Sequence, residues 1–250
     1  MNFILAHISL WQSVNILFVF VLVFFGFKYL ETFWSYKISK PYSWEKAVKE
    51  KLVSKDLIRI ERSYRDRVRF YNLWFQVQKL KKNKVAGAFV ELGVHKGETV
   101  RAIHHMDPNR IFYLFDTFEG FSQKDLVLEK QKDDRFTTDM FADTSVEKVQ
   151  RYIKGNENLR FKPGFFPETT VGLESEEFAL VHIDADLYAP TIRALEFFYP
   201  RLNSGGVIIV HDYNHNWEGV PKAIDEFMVT IPESLIELSD WQGSAMITKN

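Results

Sequence analysis

From Ala86 onward short β-rich runs alternate with helical stretches, and this alternation constrains the fold more than any other feature of the chain. Gly87–Val94 (G-A-F-V-E-L-G-V) reads as a strand and Gly97–His105 as the helix after it. Strand signals recur at Arg110–Asp116, Leu159–Lys162, Phe178–Ile183 and Gly206–Val210, the last after a turn at Asn203-Ser-Gly-Gly. Helical stretches are expected at Ser145–Lys154, capped by Ser145 or Thr144, at Ala189–Tyr199 and at Pro221–Met228. Leu235–Leu238 and Ala245–Thr248 suit a closing antiparallel pair. Strands this continuously apolar are buried on both faces, which predicts a mostly parallel sheet covered by helices on each side.

The N-terminus has a different texture. No Asp, Glu, Lys or Arg occurs before Lys28, and Ile16–Phe27 is an unbroken apolar run. A span of roughly 20 residues crosses a hydrocarbon core of about 30 Å. Ile8–Phe27 meets that length, with Trp11 near one end and Tyr29, Trp34 and Tyr36 beyond the other. Lysines follow the span and none precedes it, so the positive-inside rule places the larger C-terminal part in the cytoplasm. A cleaved signal peptide would want a basic start and an A-x-A-like site, and both are missing. A buried apolar helix remains open, because Ser9, Gln12, Ser13 and Asn15 dilute the first half of the span.

Between these regions, residues 31–84 look helical and charged. Ser43 can cap one helix, and the run from Asp56 to Lys84 places Leu57, Ile60, Tyr64, Val68, Tyr71, Phe75 and Val77 near helical spacing. Arg59, Arg62, Arg65, Arg67 and Arg69 make it basic. A solvated face explains such a run; a lid over an acidic substrate, or contact with anionic lipid, also fits. The expected organisation is an anchor over 1–30, a helical linker or lid over 31–84, and a catalytic domain over 85–250. The net charge of −1 gives no field for nucleic acid. With no cysteine in the chain, thiolate zinc sites, iron–sulfur clusters and cysteine nucleophiles are excluded.

The chemistry-bearing residues gather at predicted strand ends. Glu91-Leu-Gly93 leads through His95 and Lys96 to Gly97, a glycine turn between strand and helix, the point where open α/β sheets bind nucleotides. It is not G-x-G-x-x-G. A carboxylate beside the turn disfavours pyrophosphate and favours a ligand with a cationic amino group, which points to S-adenosylmethionine over NAD. Asp116 ends the next strand, where a carboxylate can accept both ribose hydroxyls of an adenosine. His182, Asp184 and Asp186 share one side if their strand continues. His211-Asp212 closes the neighbouring strand, so Asp184 and Asp212 should reach one rim and suit a hard divalent cation, Mg²⁺ or Mn²⁺.

At these residues the sequence resembles the macrocin O-methyltransferase family. The matching blocks are G-A-F-V-E-L-G-V-H-K-G, F-Y-L-F-D-T-F-E-G-F, F-A-D-T-S-V-E-K-V, H-I-D-A-D-L-Y-A-P-T, Y-P-R-L-N-S-G-G-V-I-I-V-H-D-Y and K-A-I-D-E-F. The resemblance implies a Rossmann-like class I methyltransferase fold with a seven-stranded sheet, and metal-assisted methylation of a sugar hydroxyl. It implies that Glu91, Gly93 and Gly97 contact the methionine part of the cofactor, with Thr99, Thr117 and Phe118 in the same cofactor set and Asp116 at the ribose. It also implies that Asp184 and Asp212 bind metal, with Asp184 the base or base partner. The family commonly has an acid where this chain has His211, which becomes the third ligand or an alternative base. A membrane span is not a usual part of the family, so the acceptor expected here is a membrane-associated glycan or lipid-linked sugar. A homo-oligomer stays open. The competing functions are a nucleotide-sugar oxidoreductase, which the missing dinucleotide fingerprint disfavours, and a non-catalytic membrane-anchored binding module, which the intact acids disfavour.

Overall fold

The computed structural model describes residues 9–129, 136–215 and 218–250, and the chain divides into two compact units, Met1–Leu52 and Val53–Asn250. In the first unit, α1 (Leu10–Ser39) opens on a capping box: Gln12 N–H donates to the Ser9 hydroxyl at 3.2 Å, and Ser9 N–H donates to the Gln12 side chain at 2.8 Å. These two bonds satisfy donors that a helix start leaves orphaned. Side chains from Leu10 to Trp34 are exposed, and this 25-residue stretch, with a mean hydropathy of 2.1, is long and apolar enough to cross a membrane. Ile8, where the predicted span begins, lies outside the described residues. The helix passes Phe27 and stops at Lys40, whose extended backbone is what a following proline demands. Pro41 then occupies the N-cap of α2 (Tyr42–Lys49), so Ser43, the expected cap, lies inside the first turn.

In the second unit the long basic run is two helices. Ser54 caps α3 (Lys55–Ser63) by accepting from Leu57 N–H, and Asp66 caps α4 (Arg67–Lys82) by accepting from Arg69 N–H at 3.1 Å. The break at Tyr64–Asp66 resets the helical phase. Val68 and Phe75, expected on the apolar stripe, are therefore exposed, while Phe70, Leu73, Trp74 and Leu80 take the inner face. Both helices pack on α5 (Glu98–Met106).

Seven strands form one sheet in the order β3-β2-β1-β4-β5-β7-β6: β1 (Ala88–Leu92), β2 (Phe112–Asp116), β3 (Leu159–Pro163), β4 (Phe178–Ile183), β5 (Leu202–Val210), β6 (Ile236–Glu237) and β7 (Ala245–Thr248). The first five are parallel, β7 runs antiparallel to β5, and β6 to β7. The helices between them are α6 (Gln123–Glu129), which the sequence reading lacks, α7 (Val146–Ile153), α8 (Tyr188–Phe198) and α9 (Gly219–Met228). Ser145 is the α7 cap, accepting from Lys148 N–H, while Thr144 donates instead to the His95 carbonyl. Asn203-Ser-Gly-Gly, expected as a turn before the strand, lies within β5. Phe178 pairs with Leu202 and Leu180 with Val207, so these residues bulge out between two paired positions.

Val90, Val181, Ile208 and Ile247 from four adjacent strands are fully buried, as a sheet covered on both faces requires. Part of the Phe excess fills this core: Phe115 packs edge-on against Phe166 and Phe198, and Phe178 against Phe198, at ring separations of 5.2–5.8 Å. Strand order reverses at β1, and the crevice between the carboxyl ends of β1 and β4 is the switch point where such sheets bind ligands.

Candidate active site

A cavity of about 310 Å³ opens at that switch point, at the small end of the roughly 300–1,000 Å³ usual for ligand pockets. Gly93, Asp116, Thr117, Asp184, His211 and Asp212 all line it. The parallel ladder runs one residue past the strands: Gly93 N–H donates to the Phe115 carbonyl, Asp184 N–H to Leu92, and His211 N–H to Ile183, each at 2.8–2.9 Å. Asp184 and His211 are thus set by main-chain bonds, which explains why strand-end residues far apart in sequence converge.

Gly93 has φ +88, and a Cβ there would lie 1.9 Å from the Asp184 carbonyl oxygen, so no other residue fits. Gly97, at φ +80 before α5, is off the cavity wall. A Cβ there would lie 2.8 Å from Val149 Cγ1, so its smallness serves the seating of α7. Asp116 binds three backbone donors: Val94 and His95 N–H reach one carboxylate oxygen at 2.7 Å, and Phe118 N–H reaches the other at 2.6 Å. It therefore ties the glycine turn to the loop after β2 while facing the cavity. Thr117 donates to the Gly120 carbonyl. Phe118 is buried and does not line the cavity, and Thr99 is held at 2.9 Å by the Tyr64 hydroxyl beneath the wall.

Glu91 is not where the cofactor reading puts it. Its side chain is 2% exposed and faces His182, whose Nδ1 is 3.4 Å from Glu91 Oε1. Burial, with the nearby charge of Asp184, pushes its carboxyl well above the usual range, against the pull of Arg69. Burial and Arg69 push His182 down to about 3, so the imidazole is neutral near pH 7 and the contact is not an ion pair.

Arg69, on the first turn of α4, reaches this strand end. Its guanidinium donates to Asp184 Oδ2 at 2.6 Å and lies 3.2 Å from His182 Nε2. Only the run of arginines from Arg59 to Arg69 hinted at it, and a solvated helix face gives the same run. On the other side, His211 Nδ1 is 3.1 Å from Asp184 Oδ1 and 3.0 Å from Asp212 Oδ1, and His211 Nε2 is 3.2 Å from the Trp241 carbonyl. Burial of His211 opposes protonation, but the Asp184 charge and contacts with both acids outweigh it and lift the imidazole to about 10. Burial of Asp184 is likewise outweighed by Arg69 and His211, which hold its carboxyl well below the ordinary range. Asp186 does not continue the strand. The chain turns there with φ +60, yet Asp186 still lines the cavity, its carboxyl raised by burial and by the charges of Asp184 and Asp212.

One ligand atom each from Asp184, His211 and Asp212 lies within 4.8 Å of the others, the cluster predicted from the two strand ends. Around an octahedral ion with bonds of about 2.1 Å, neighbouring ligand atoms stand about 3.0 Å apart. The two short separations at His211 Nδ1 match that spacing. Neither His211 Nδ1 nor Asp212 Oδ1 makes an aligned hydrogen bond among the described residues. A nitrogen lone pair facing two carboxylates calls for a proton or a cation between them.

A five-stranded parallel core closed by an antiparallel hairpin, with acids at the switch point, defines a Rossmann-like class I methyltransferase fold. The chain belongs to the macrocin O-methyltransferase (TylF) family, whose model matches residues 31–247. It is 31% identical over 157 residues to the 8-demethyl-8-(2,3-dimethoxy-alpha-L-rhamnosyl)-tetracenomycin-C 4'-O-methyltransferase of Streptomyces olivaceus, covering 58% of this chain and 60% of that protein. It is 29% identical over 160 residues to the mycinamicin III 3''-O-methyltransferase of Micromonospora griseorubida, covering 58% and 62%. The matches thus span about three-fifths of the curated relatives' length. Among solved structures, the O-methyltransferase NovP superposes with a TM-score of 0.61 at 25% identity, covering 74% of this chain and 80% of that one. The calicheamicin methyltransferase CalS11 shares the fold, with a TM-score of 0.57 at 19% identity, covering 84% and 87%.

Proposed function

We propose that the protein transfers a methyl group from S-adenosylmethionine to a hydroxyl of a sugar or glycoconjugate, assisted by a divalent cation. The observation that carries this reading is the convergence of Asp184, His211 and Asp212 on the same cavity as Gly93 and Asp116, in a chain of the macrocin O-methyltransferase family. S-adenosylmethionine would supply an electrophilic methyl group, and Mg²⁺ or Mn²⁺, which Asp184, His211 and Asp212 would hold, would supply a charge that lowers the hydroxyl pKa. Gly93 lets the cofactor approach the backbone, and Asp116 faces the ribose while holding the turn. Transfer of that methyl to the acceptor oxygen would release the hydroxyl proton, which a protein base must take. With a cation bound, His211 Nδ1 would face the ion as a ligand and could not take that proton. Asp184, beside it and facing the cavity, is the carboxylate placed to take the proton; Arg69 and His211 hold its proton affinity low, so the transfer would depend on a bound cation acidifying the hydroxyl.

The anchor reading is kept as part of the proposal: α1 crosses a membrane, and the catalytic unit lies on the cytoplasmic side. A core helix of a soluble domain buries one face, whereas Leu10–Trp34 buries none. The full chain should fractionate with membranes until residues 1–34 are removed. Solubility without detergent would overturn the anchor.

Titration with S-adenosylhomocysteine, followed by methyl transfer with and without metal, tests the chemistry. Asp184→Asn should cut turnover by about 100-fold or more while changing S-adenosylhomocysteine affinity little, since general-base loss alone costs about 10²–10⁴. Full activity in excess EDTA would remove the metal from the mechanism. Tight NADH binding with no response to S-adenosylhomocysteine would end the methyltransferase reading.

A further inference from the structure

A second hollow abuts the active site. It is lined by Arg62, Arg65, Arg67, Val68, Asp66 and Trp241. Its lining is continuous along the chain with that of the cavity: Val68 is followed by Arg69, which lines the cavity and binds Asp184, and Trp241 is followed by Gln242, which lines it too. Trp241 joins the two halves through its backbone. Its N–H donates to Asp66 Oδ2 at 2.6 Å, and its carbonyl lies 3.2 Å from His211 Nε2. The hollow therefore sits where the rest of an acceptor would lie once its hydroxyl reached Asp184.

Two of its arginines, Arg62 and Arg65, have no carboxylate partner among the described residues. Asp66 is the one acid among the lining residues, and both its oxygens are bound by main-chain donors, Arg69 N–H and Trp241 N–H. Among the described residues no carboxylate pairs with the guanidinium of Arg62 or Arg65, whereas Arg59, on the same helix as Arg62, is paired with Asp56 at 2.8 Å. Arg67 donates to the Arg62 carbonyl at 3.1 Å, which fixes the turn between the helices. The Arg65 guanidinium lies 4.3 Å from the centre of the Trp241 ring. Stacking of that kind orders the side chain and leaves its N–H edge free for an oxyanion, and planar guanidinium groups match phosphate oxygens two at a time. Trp241 itself is 56% exposed, an unusual position for an indole and a suitable platform for a sugar or base.

We propose that this hollow holds the diphosphate of a diphosphate-linked sugar, so that the acceptor is a sugar still attached to its nucleotide or lipid carrier. Arg62 and Arg65 bind the phosphate oxygens, Trp241 stacks on the adjoining ring, and the sugar hydroxyl points past Arg69 to Asp184. This rests on the O-methyltransferase reading and adds the class of acceptor to it.

The test uses the full chain in detergent, loaded with S-adenosylhomocysteine and kept in EDTA so that no bridging metal can hold the probe. Inorganic pyrophosphate should bind, more weakly as salt rises. Arg62→Gln with Arg65→Gln should weaken it about tenfold or more, as loss of charge-assisted bonds predicts, with S-adenosylhomocysteine binding unchanged as the check on folding. With metal restored, KM should be about tenfold lower or more for a hexose carried on a nucleoside or polyprenyl diphosphate than for the methyl glycoside of that hexose. The double variant should erase the difference, and the better of the two diphosphates identifies the carrier. Equal pyrophosphate binding by the double variant, or equal KM for the methyl glycoside, would overturn the diphosphate site and leave the methyltransferase reading standing. Failure to bind S-adenosylhomocysteine would overturn both.

Discussion

Replacing Arg69 by Leu isolates the contact that most distinguishes this site. The guanidinium lies 2.6 Å from Asp184 Oδ2, with side chains only 14% and 24% exposed. Two unit charges about 4 Å apart at an effective dielectric of about 20 attract by roughly 4 kcal/mol. The desolvation that the free guanidinium would recover, and the partner His211 that Asp184 keeps, leave a net loss of about 2 kcal/mol. For a folded unit of this size that corresponds to a fall in Tm of roughly 4–8 °C. The dependence on pH has a definite sign. Asp184 is depressed in the folded state, so its ion pairing contributes fully above the unfolded carboxylate pKa of about 3.9 and fades as pH falls toward the folded value. The deficit of Arg69→Leu should therefore be complete at pH 7 and narrow below about pH 4. A scan by differential scanning calorimetry in EDTA measures it. Adding Mn²⁺ should then recover more Tm in the variant than in the wild type, because the cation no longer competes with a guanidinium. Equal Tm values at pH 7, or a deficit that stays constant down to pH 3, would refute the reasoning.

Gly93→Ala should abolish S-adenosylhomocysteine binding or folding, since its Cβ would lie 1.9 Å from the Asp184 carbonyl oxygen; a well-folded variant with unchanged calorimetric affinity would contradict the close approach. Glu91→Gln, a near-isosteric replacement for a buried group off the cavity wall, should change that affinity less than about threefold, under 0.7 kcal/mol. A loss of 10-fold or more would restore the amino-group role. Asp66→Ala should cost about 1–2 kcal/mol by chemical denaturation through loss of the α4 cap, and should also loosen Trp241, visible as a red-shifted emission relative to the wild type.

Sheet and strand ends were legible because a doubly covered parallel sheet writes continuous apolar strands into the sequence, and Phe178–Ile183 matched to the residue. Asp184, His211 and Asp212 were legible for the same reason: adjacent strand ends bring their next residues to one rim. The break between α3 and α4 was not, because Tyr64-Arg65-Asp66 carries neither Gly nor Pro and the capping Asp66 looks like any other charge in a charged run. That break re-phases α4 and delivers Arg69 to Asp184, so missing one hid the other. Glu91 was read from its place beside the glycine turn, which does not specify where the side chain faces; the structure buries it against His182.

The main-chain contact between Gly93 and Asp184 has a practical meaning for redesign. On the proposed function, the half of the site that would carry the donor and the half that would carry the acceptor are bolted together by backbone, with no side chain as a spacer. The gap that a transferred methyl group would cross is therefore a fixed gauge of the sheet. Residues of the α3–α4 corner and the Trp241 loop can be exchanged to admit another acceptor without changing that gauge, whereas any substitution that shifts the β1–β4 register alters it for every acceptor at once.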